Sequence, residues 1–187
     1  MIALVTGASS GIGRDIAREL AKRKYDIIAV ARGREALENL KAELEKDYQV
    51  KVDVREQDLT DRGGCKKLHQ NVKEKYGTID VLVNDAGFGT CGKFTETDLE
   101  KEIKMIDTNV VALHILTKLF LQDMVKEDKG HILNVASIAG FMPGPLMATY
   151  YSTKSYVVRL TQSIRHELFK QKSKVKISAL CPGPVAT

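Results

Sequence analysis

Tryptophan is absent from this chain of 187 residues, and cysteine is rare. Cys65, Cys91 and Cys181 are odd in number and scattered, which argues against a disulfide framework and favours reduced thiols. No apolar run approaches the length that crosses a membrane. Met1 directly precedes an apolar strand, which leaves no room for a signal peptide. We therefore expect a cytoplasmic protein with no membrane partner.

Neither positive nor negative charge is concentrated in one part of the sequence. Lys and Arg number 29 and Asp and Glu number 24, so the net charge is +5, and the basic residues are spread over predicted helices. Nucleic-acid binding needs a denser basic patch, so we expect no nucleic-acid partner; salt-sensitive binding to DNA would revive that alternative. The four histidines show no metal-ligand spacing, so we expect no metal site.

Glycine, by contrast, is concentrated near the N-terminus. Residues 2–6 (IALVT) have the composition of a buried strand, and residues 12–20 repeat apolar side chains at helical spacing. A strand, a glycine turn and a helix in this order are typical of a dinucleotide site, where backbone N–H groups and a helix N-terminus bind the pyrophosphate. The alternative is an ordinary strand-to-helix turn. The residues expected to bind there are Gly7, Ser9, Ser10, Gly11, Ile12 and Gly13.

The next predicted strand, residues 26–31 (DIIAVA), indicates which dinucleotide binds. A site that prefers NAD usually carries an acid near the end of this strand for the ribose 2′-hydroxyl, whereas an arginine accommodates a 2′-phosphate. Ala31 supplies no acid, and Arg32 supplies a guanidinium group that suits phosphate. Arg34 either assists or is a solvated helix charge. We therefore expect NADP(H) to be preferred over NAD(H).

An acid–base group is indicated at the start of a predicted helix, residues 149–171. Tyr150 and Lys154 are four residues apart and therefore share a helix face. A free tyrosine loses its proton only near pH ~10, but a neighbouring ammonium group stabilises the phenolate. Ser137 ends the apolar strand at residues 130–136, where its hydroxyl could bind a substrate carbonyl oxygen. For the Tyr–Lys pair alone, the alternative is a tyrosine beside a surface lysine.

The remaining pattern alternates strands, at residues 49–54, 79–83 and 174–180, with helices. This order predicts an α/β fold, a Rossmann-type doubly wound parallel sheet with helices on both faces, as a single dinucleotide-binding domain over residues 1–187. Residues 106–124 are apolar nearly all round, so their helix needs cover on more than one side. A second subunit would supply that cover in a homodimer or homotetramer; burial beneath a neighbouring helix is the alternative.

Together these residues resemble the short-chain dehydrogenase/reductase family, in its compact subfamily with a TGxxxGxG loop and a YxxxK active site. The resemblance covers the whole chain. It adds a matching NNAG segment at residues 84–87 (NDAG), a catalytic asparagine at Asn109, and a nicotinamide-end segment at residues 182–187 (PGPVAT). The further cofactor contacts that it implies are Asp58, Leu59, Asn84, Ala86, Gly87, Tyr150, Lys154, Pro182, Gly183, Val185 and Thr187.

The resemblance implies an NADP(H)-dependent oxidoreductase that interconverts a carbonyl and an alcohol. Tyr150 would exchange the proton with the substrate oxygen, and Ser137 would position that oxygen. Lys154 would hold the nicotinamide ribose, and Asn109 would help to hold a proton-relaying water. Apolar side chains within residues 141–147 suggest a small-molecule substrate with an apolar portion. The alternative is a non-catalytic NADP-binding sensor, which would tolerate loss of the serine, tyrosine or lysine.

Two features depart from the family pattern. Asp85 stands where the family has the second asparagine of NNAG, which changes the hydrogen bonds available there. Family members normally run on past the position of Thr187 through a substrate-covering helical segment and a last strand. The sheet is therefore expected to lack both here.

Overall fold

The structure, a computed structural model, describes residues 1–184 and alternates strands with helices. The strands are β1 (Ile2–Thr6), β2 (Asp26–Ala31), β3 (Val52–Glu56), β4 (Val81–Asn84), β5 (His131–Val135) and β6 (Lys176–Leu180). The α-helices are α1 (Gly11–Lys22), α2 (Arg34–Tyr48), α3 (Arg62–Tyr76), α4 (Leu99–Ile106), α5 (Leu113–Lys126) and α6 (Ala148–Lys170). A π-helical segment (Asp107–Ala112) joins α4 to α5, and a 3₁₀ turn (Ile138–Phe141) follows β5.

The sheet is parallel throughout, in the order β3-β2-β1-β4-β5-β6. From β1 the chain builds outward to β3 and then returns to the other side of β1 with β4. In such a sheet a crevice opens at the carboxyl ends of the two strands that flank the reversal. This topology confirms the Rossmann-type doubly wound fold, and it places the glycine loop and the segment after β4 at the crevice.

Alternate side chains of each strand pack on opposite faces of the sheet. In β1, Leu4 packs in the layer formed with α3, α5 and α6, whereas Val5 packs against α1 and α2. Leu44 of α2 and Leu116 of α5 are fully buried on their respective faces. Because burying one such side chain contributes about 1.5–3 kcal/mol, both faces fix the register of the central strands.

The third strand begins later than the sequence predicts. The expected strand covered residues 49–54, whereas β3 begins at Val52. The reason is local: α2 continues to Tyr48, and Gln49 then ends the helix in a left-handed conformation with φ of 57°. The chain needs the next two residues to enter the sheet, so the strand shifts toward the C-terminus.

The apolar helix expected at residues 106–124 is part of a longer helical segment that starts at Leu99. The Asp98 carboxylate caps it by accepting a hydrogen bond from the Lys101 backbone N–H at 2.6 Å. In α5, Leu116 and Phe120 are buried, whereas Ile115 and Leu119 of α5 and Val111 of the π-helical segment are half-buried. Neighbouring elements therefore cover only part of the apolar surface of this helical segment. Among the helices of residues 1–184, none is long and apolar enough to cross a membrane.

Candidate active site

The glycine loop between β1 and α1 requires glycine at two positions. Gly7 has a φ of +70°, a left-handed conformation that other residues rarely adopt. A Cβ at position 13 would lie 2.5 Å from the carbonyl oxygen of Gly7, so glycine is needed for α1 to start this close to β1. Ser10 precedes the helix without capping it through its side chain. The Gly11 and Ile12 N–H groups of α1 are therefore available to an anion, at the end where the helix dipole favours negative charge.

The side chain of Thr6 joins the two strands that flank the crevice. Its hydroxyl oxygen Oγ1 donates to the carbonyl oxygen of Val83 at 3.3 Å and accepts from the N–H groups of Asp85 at 3.0 Å and Ala86 at 3.2 Å. Because its donor and acceptor positions are both used, Thr6 fixes the segment after β4. The sequence-based site did not include Thr6. A hydroxyl residue that closes a buried apolar strand is the signal that could have identified it.

Asn109 lies in the π-helical segment and fixes the same segment from the other side. Its amide nitrogen Nδ2 donates to the Phe88 carbonyl oxygen at 2.9 Å and to Thr153 Oγ1 at 3.2 Å. Its amide oxygen Oδ1 accepts from the Phe88 N–H at 3.1 Å. A Cβ at Gly87 would lie 2.9 Å from that oxygen, which explains the glycine. Asn109 therefore ties the segment after β4 to α6.

Ser137 lies directly beyond β5 and faces the crevice. Its Oγ accepts a hydrogen bond from the Ala139 N–H at 3.1 Å, and it lies 3.5 Å from the Pro182 carbonyl oxygen. The second distance is too long for a strong O–H···O bond, so the hydroxyl proton can be donated to a ligand. The Pro182 carbonyl also accepts from the Ile138 N–H at 3.1 Å. The segment after β6 is thereby brought to the site.

Tyr150 and Lys154 lie on one face of α6, as their spacing predicts. The ammonium nitrogen Nζ of Lys154 lies 5.8 Å from the centroid of the Tyr150 ring. It also donates to the Val135 carbonyl oxygen at 2.9 Å. Burial lowers the pKa of Lys154, and the negative charge of Asp85 opposes that effect. The structure thus brings a positive charge next to a phenol group.

Charged side chains mark the opposite end of the crevice. Arg32 follows β2 and is exposed. Asp58 follows β3 and accepts hydrogen bonds from the Thr60 N–H and from the Thr60 hydroxyl, both at 2.9 Å. The Thr60 backbone N–H is the main cause that holds the pKa of Asp58 below its usual value, and Arg32 and Lys104 contribute positive charge. Asp58 therefore remains an ionised hydrogen-bond acceptor at neutral pH.

These groups line one continuous cleft of about 1000 Å³. It extends from Arg32 and Asp58, past the glycine loop, to Ser137, Tyr150 and Lys154. The predicted site residues that line it are Gly7, Ser9, Ser10, Gly11, Ile12, Arg32, Asp58, Leu59, Ala86, Gly87, Ser137, Tyr150, Lys154, Pro182 and Gly183. The structure therefore brings most of the predicted site together in one place.

Three of the five remaining predicted residues lie within residues 1–184 but do not line the cleft. Gly13 and Asn109 lie behind its wall, where they position the loop and the segment after β4. Asn84 is buried, and its amide nitrogen Nδ2 donates to Thr117 Oγ1 at 3.0 Å and to Asn134 Oδ1 at 2.9 Å. Its side chain thus belongs to a polar network in the core. The other two residues, Val185 and Thr187, lie outside the described residues 1–184.

The cleft also includes side chains that the sequence-based site missed. Among them are Gln57, Thr60, Asp85, Phe88, Lys104, Thr108 and Tyr151. Lys104 and Thr108 are four residues apart in the helical segment that carries Asn109, so they share a face toward the cleft. That spacing was visible in the sequence, but the helix start at Leu99 was not predicted. Lys104 adds a positive charge beside Asp58.

A doubly wound parallel sheet with a glycine loop at its topological reversal defines a nucleotide-binding Rossmann domain. The profile of the short chain dehydrogenase family matches residues 1–187. The chain therefore belongs to the short-chain dehydrogenase family of oxidoreductases. The resemblance that the sequence predicts is confirmed.

Relatives and solved structures agree with this assignment. An uncharacterized oxidoreductase of Staphylococcus saprophyticus is 34% identical over 186 residues, which cover 100% of this chain and 79% of that protein. A short-chain dehydrogenase from Sphingobium yanoikuyae in complex with NADPH has a TM-score of 0.92 and 31% identity, covering 99% of this chain and 71% of that one. A short-chain dehydrogenase/reductase from Burkholderia phymatum in complex with NAD has a TM-score of 0.92 and 28% identity, covering 98% and 66%.

Proposed function

We propose that the chain is an NADP(H)-dependent oxidoreductase that interconverts a carbonyl and an alcohol, with Tyr150 as the general acid and base. The observation that carries the proposal is the cleft itself. One end presents a hydroxyl group, a phenol and an ammonium group from Ser137, Tyr150 and Lys154, and a glycine loop lies between that end and Arg32. The groups proposed to react with the substrate and those proposed to bind the cofactor therefore line the same cleft.

The residues present fit a nicotinamide dinucleotide. The loop lacks Cβ atoms at Gly7 and Gly13, where close approach of the main chain is needed, and the first turn of α1 offers uncapped N–H groups to a diphosphate. Solved relatives carry NADPH or NAD, which supports a nicotinamide cofactor of either kind. Such a cofactor, when bound, would supply or accept the hydride. The protein would supply binding, orientation and the proton.

The proton and the substrate oxygen are assigned to three side chains. Ser137 donates a hydrogen bond from its hydroxyl group to the carbonyl oxygen and keeps its proton, since its Oγ already accepts from the Ala139 N–H. Tyr150 gives a proton to that oxygen during reduction and takes it back during oxidation. Lys154 uses one donor on the Val135 carbonyl and keeps two, which suit ribose hydroxyls. Its charge beside the ring favours the phenolate that remains after proton transfer.

Asn109 contributes through the main chain. Its hydrogen bonds to both backbone groups of Phe88 hold the cleft wall at the segment after β4. Its Oδ1 keeps one further acceptor position, which suits the water that relays protons to solvent. Asn109 therefore acts as a positioning residue, with the relay as its second assigned role.

The preference for NADP(H) over NAD(H) rests on Arg32. No acid stands at Ala31 to bind a ribose 2′-hydroxyl, and the exposed guanidinium group of Arg32 suits a 2′-phosphate. Lys104 adds positive charge at the same end of the cleft. The substrate is proposed to carry an apolar portion, because Met147 lines the cleft and because Phe141, Met142 and Leu146, which lie between Ser137 and Tyr150 in the chain, are exposed.

We assign the active form to a homo-oligomer. The half-buried side chains of Val111, Ile115 and Leu119 recur every four residues along the helical segment that includes α5, so they form one stripe. Tyr156 of α6 is exposed beside it, and its hydroxyl lies 2.7 Å from His114 Nδ1 of α5. A second copy of the chain would cover this apolar surface.

The experiment that tests the proposed function is a turnover assay on a panel of aldehydes and ketones with NADPH or NADH, followed by loss of the ultraviolet absorbance of the reduced nicotinamide. We expect reduction of at least one compound with an apolar substituent, and the reverse reaction of its alcohol with NADP⁺. Tight NADPH binding without turnover of any carbonyl or alcohol would contradict the proposal and favour the non-catalytic sensor.

A further inference from the structure

A carboxylate lies directly beneath the glycine loop. The Oδ2 atom of Asp85 lies 2.6 Å from the position of a Cβ at Gly13 and 2.9 Å from that of a Cβ at Gly7. The Asp85 backbone is fixed, because its N–H donates to Thr6 Oγ1 at 3.0 Å. The side chain is therefore held against the start of α1. This is the position where the family pattern has a neutral asparagine.

Asp85 shares the charged surroundings of the cleft. It belongs to the cleft lining, and burial raises its pKa to about 6, while Lys154 and the Gly13 backbone N–H act in the opposite direction. Its attraction to Lys154 is mutual, since Asp85 opposes the lowering of the Lys154 pKa by burial. Lys154 is 7% exposed, so solvent screens this attraction only weakly. The two groups are thus coupled across the cleft.

The elements around Asp85 contribute one counter-charge. Residues 6–13 contain no ionisable side chain, so the loop and the start of α1 offer backbone N–H groups and the helix dipole. From α6 come the Lys154 ammonium group and the Tyr150 phenol. From the segment after β6 comes Cys181, whose thiol pKa is raised by burial, so that it stays neutral. Lys154 and the α1 N-terminus are therefore the groups that stabilise an ionised Asp85.

A bound dinucleotide would need the same groups. In the function proposed above, its diphosphate takes the first N–H groups of α1, and its ribose takes Lys154. We infer that Asp85 makes dinucleotide binding proton-linked, because its ionised carboxylate competes with the diphosphate for the α1 N-terminus and with the ribose for Lys154. Binding is tightest when the carboxyl group is neutral. This inference rests on the proposed function, since it requires a dinucleotide in the cleft.

The direction of the pH dependence follows from linkage. The Asp85 carboxyl group of the free protein titrates at about pH 6, and a nearby diphosphate disfavours the ionised form, so binding raises this pKa further. Affinity is therefore greatest below the free-protein pKa, falls as the pH rises toward the pKa of the complex, and is level above it. The loss is about tenfold for each unit by which binding raises the pKa. Within this window the complex takes up a proton on binding.

The test is a calorimetric titration of NADH and of ADP-ribose into the wild-type protein and into Asp85→Asn, between about pH 5 and pH 8. NADH is the probe because the 2′-phosphate of NADPH is a phosphate monoester, which titrates near pH ~6 itself. We expect the wild-type Kd for both ligands to rise by about tenfold over this range. In Asp85→Asn the Kd should be lower at neutral pH and independent of pH.

Two controls keep the result specific. Asp58→Asn removes a carboxylate at the other end of the cleft and should retain the wild-type pH profile, because the Asp58 pKa is lowered and its charge does not change in this range. Titrations of the wild-type protein in two buffers of different ionisation enthalpy should show proton uptake. This measurement needs no variant and therefore holds even if Asp85→Asn folds poorly.

The outcomes separate this inference from the proposed function. If neither protein binds NADH or ADP-ribose at any pH, the dinucleotide site itself is wrong. If both bind with the same pH profile, or if the wild-type protein takes up no proton, Asp85 has no linked role and only the inference is overturned. A pH dependence for NADH without one for ADP-ribose would also overturn it, since the competition with the diphosphate would then be absent.

Discussion

At one end of the cleft Arg32 and Asp58 are exposed, whereas at the other end Lys154 is 7% exposed and Asn109, behind the cleft wall, is 2% exposed. The hydrogen-bond partners of these side chains also differ between the two ends. Asp58 is held by Thr60, two residues away, while Asn109 is bonded to Thr153 of another helix and Lys154 to Val135 of a strand. One end is thus built from short segments of chain, and the other from contacts between distant elements.

This difference separates two kinds of function. An exposed arginine keeps its hydrogen-bonding capacity for a ligand, but water and salt screen its charge. A buried lysine needs partners for its charge and in return acts through a weakly screened field. The end with Arg32 and Asp58 is therefore suited to selecting a ligand, and the end with the proposed catalytic residues to holding groups in fixed positions. Each prediction below tests one side of this division.

The largest effect is expected at the catalytic end, for Tyr150→Phe. The variant keeps the ring beside Lys154 and loses the only proposed proton donor to the substrate oxygen. Turnover should fall by about 10²–10⁴-fold, the range of general acid–base catalysis, while the Kd for NADPH stays nearly unchanged. Steady-state kinetics and a fluorescence titration of NADPH measure the two quantities.

Tyr151→Phe is the matched control, because it removes a neighbouring phenol hydroxyl that lines the same cleft. It should change turnover by a few-fold at most. Equal losses in the two variants, or an active Tyr150→Phe enzyme, would contradict the assignment of the proton donor. Either result would also remove the functional basis for separating the two ends.

A smaller effect is expected between the two ends, for Gly13→Ala. The added Cβ would lie 2.5 Å from the Gly7 carbonyl oxygen, which belongs to the main chain and cannot rotate away. The free energy of unfolding should fall by about 1–3 kcal/mol, the usual cost of overpacking. Displacement of the loop should also weaken NADPH binding by about 10–100-fold, as the same energy range implies. Chemical denaturation and calorimetry measure these changes.

Gly33→Ala is the control for this substitution. A Cβ there has no atom within 4 Å, and Gly33 lacks a positive φ. Its free energy of unfolding should be unchanged. A Gly13→Ala protein as stable as Gly33→Ala would mean that the loop tolerates a side chain at position 13. The close approach of α1 to β1 would then not require glycine there.

Those parts of the fold and the candidate site that depend on neighbouring residues along the chain could be predicted from the sequence. The glycine loop is read from a strand, a turn and a helix within residues 2–20, and Arg32 from its place after β2. The shared face of Tyr150 and Lys154 follows from helix geometry. Each depends on neighbouring residues along the chain, so pattern and spacing suffice.

The rest depends on contacts between distant elements. Thr6 joins β1 to the segment after β4, and Asn109 takes its position from a π-helical segment that apolar periodicity does not reveal. Asn84 was predicted as a cofactor contact on the resemblance alone, yet its side chain lies in a core network with Thr117 and Asn134. In these cases the sequence supplies the residue type, and only the sheet order determines its partner.

At the end of the cleft with Arg32 and Asp58, the test is Arg32→Asp. Loss of a charge-assisted pair with the 2′-phosphate should cost about 1.5–3 kcal/mol, which corresponds to a rise of about 10–100-fold in the NADPH Kd. NADH binding should improve, because an acid can bind the ribose 2′-hydroxyl. Since the guanidinium group is exposed, the wild-type preference for NADPH should also shrink as salt is added.

Arg34→Asp decides whether the second arginine assists. The Arg34 guanidinium nitrogen Nη2 lies 3.7 Å from Glu38 Oε1, one helical turn away. Both side chains are exposed, and such pairs contribute little to stability. Its substitution should leave the ratio of the two Kd values nearly unchanged. Equal affinities for NADPH and NADH in the wild-type protein would show that the preference assigned to Arg32 is wrong.

The smallest effect on catalysis is expected from Leu119→Glu, on the outer face of the helix that carries the apolar stripe. Leu119 is half-buried, and a charge there should prevent a second copy from covering the stripe. Light scattering should show the mass of a dimer or tetramer for the wild-type protein and that of a monomer for the variant.

Lys118→Glu is the control, because Lys118 is the exposed neighbour of Leu119, and this variant should keep the wild-type mass. Turnover of Leu119→Glu should fall by a few-fold only, because the proposed reacting groups lie on α6 and just after β5, and the hydrogen bonds of Ser137 and Lys154 are made within one chain. A wild-type monomer would contradict the assembly, and a monomeric variant without activity would mean that the catalytic end is completed by a partner instead of by its own buried contacts.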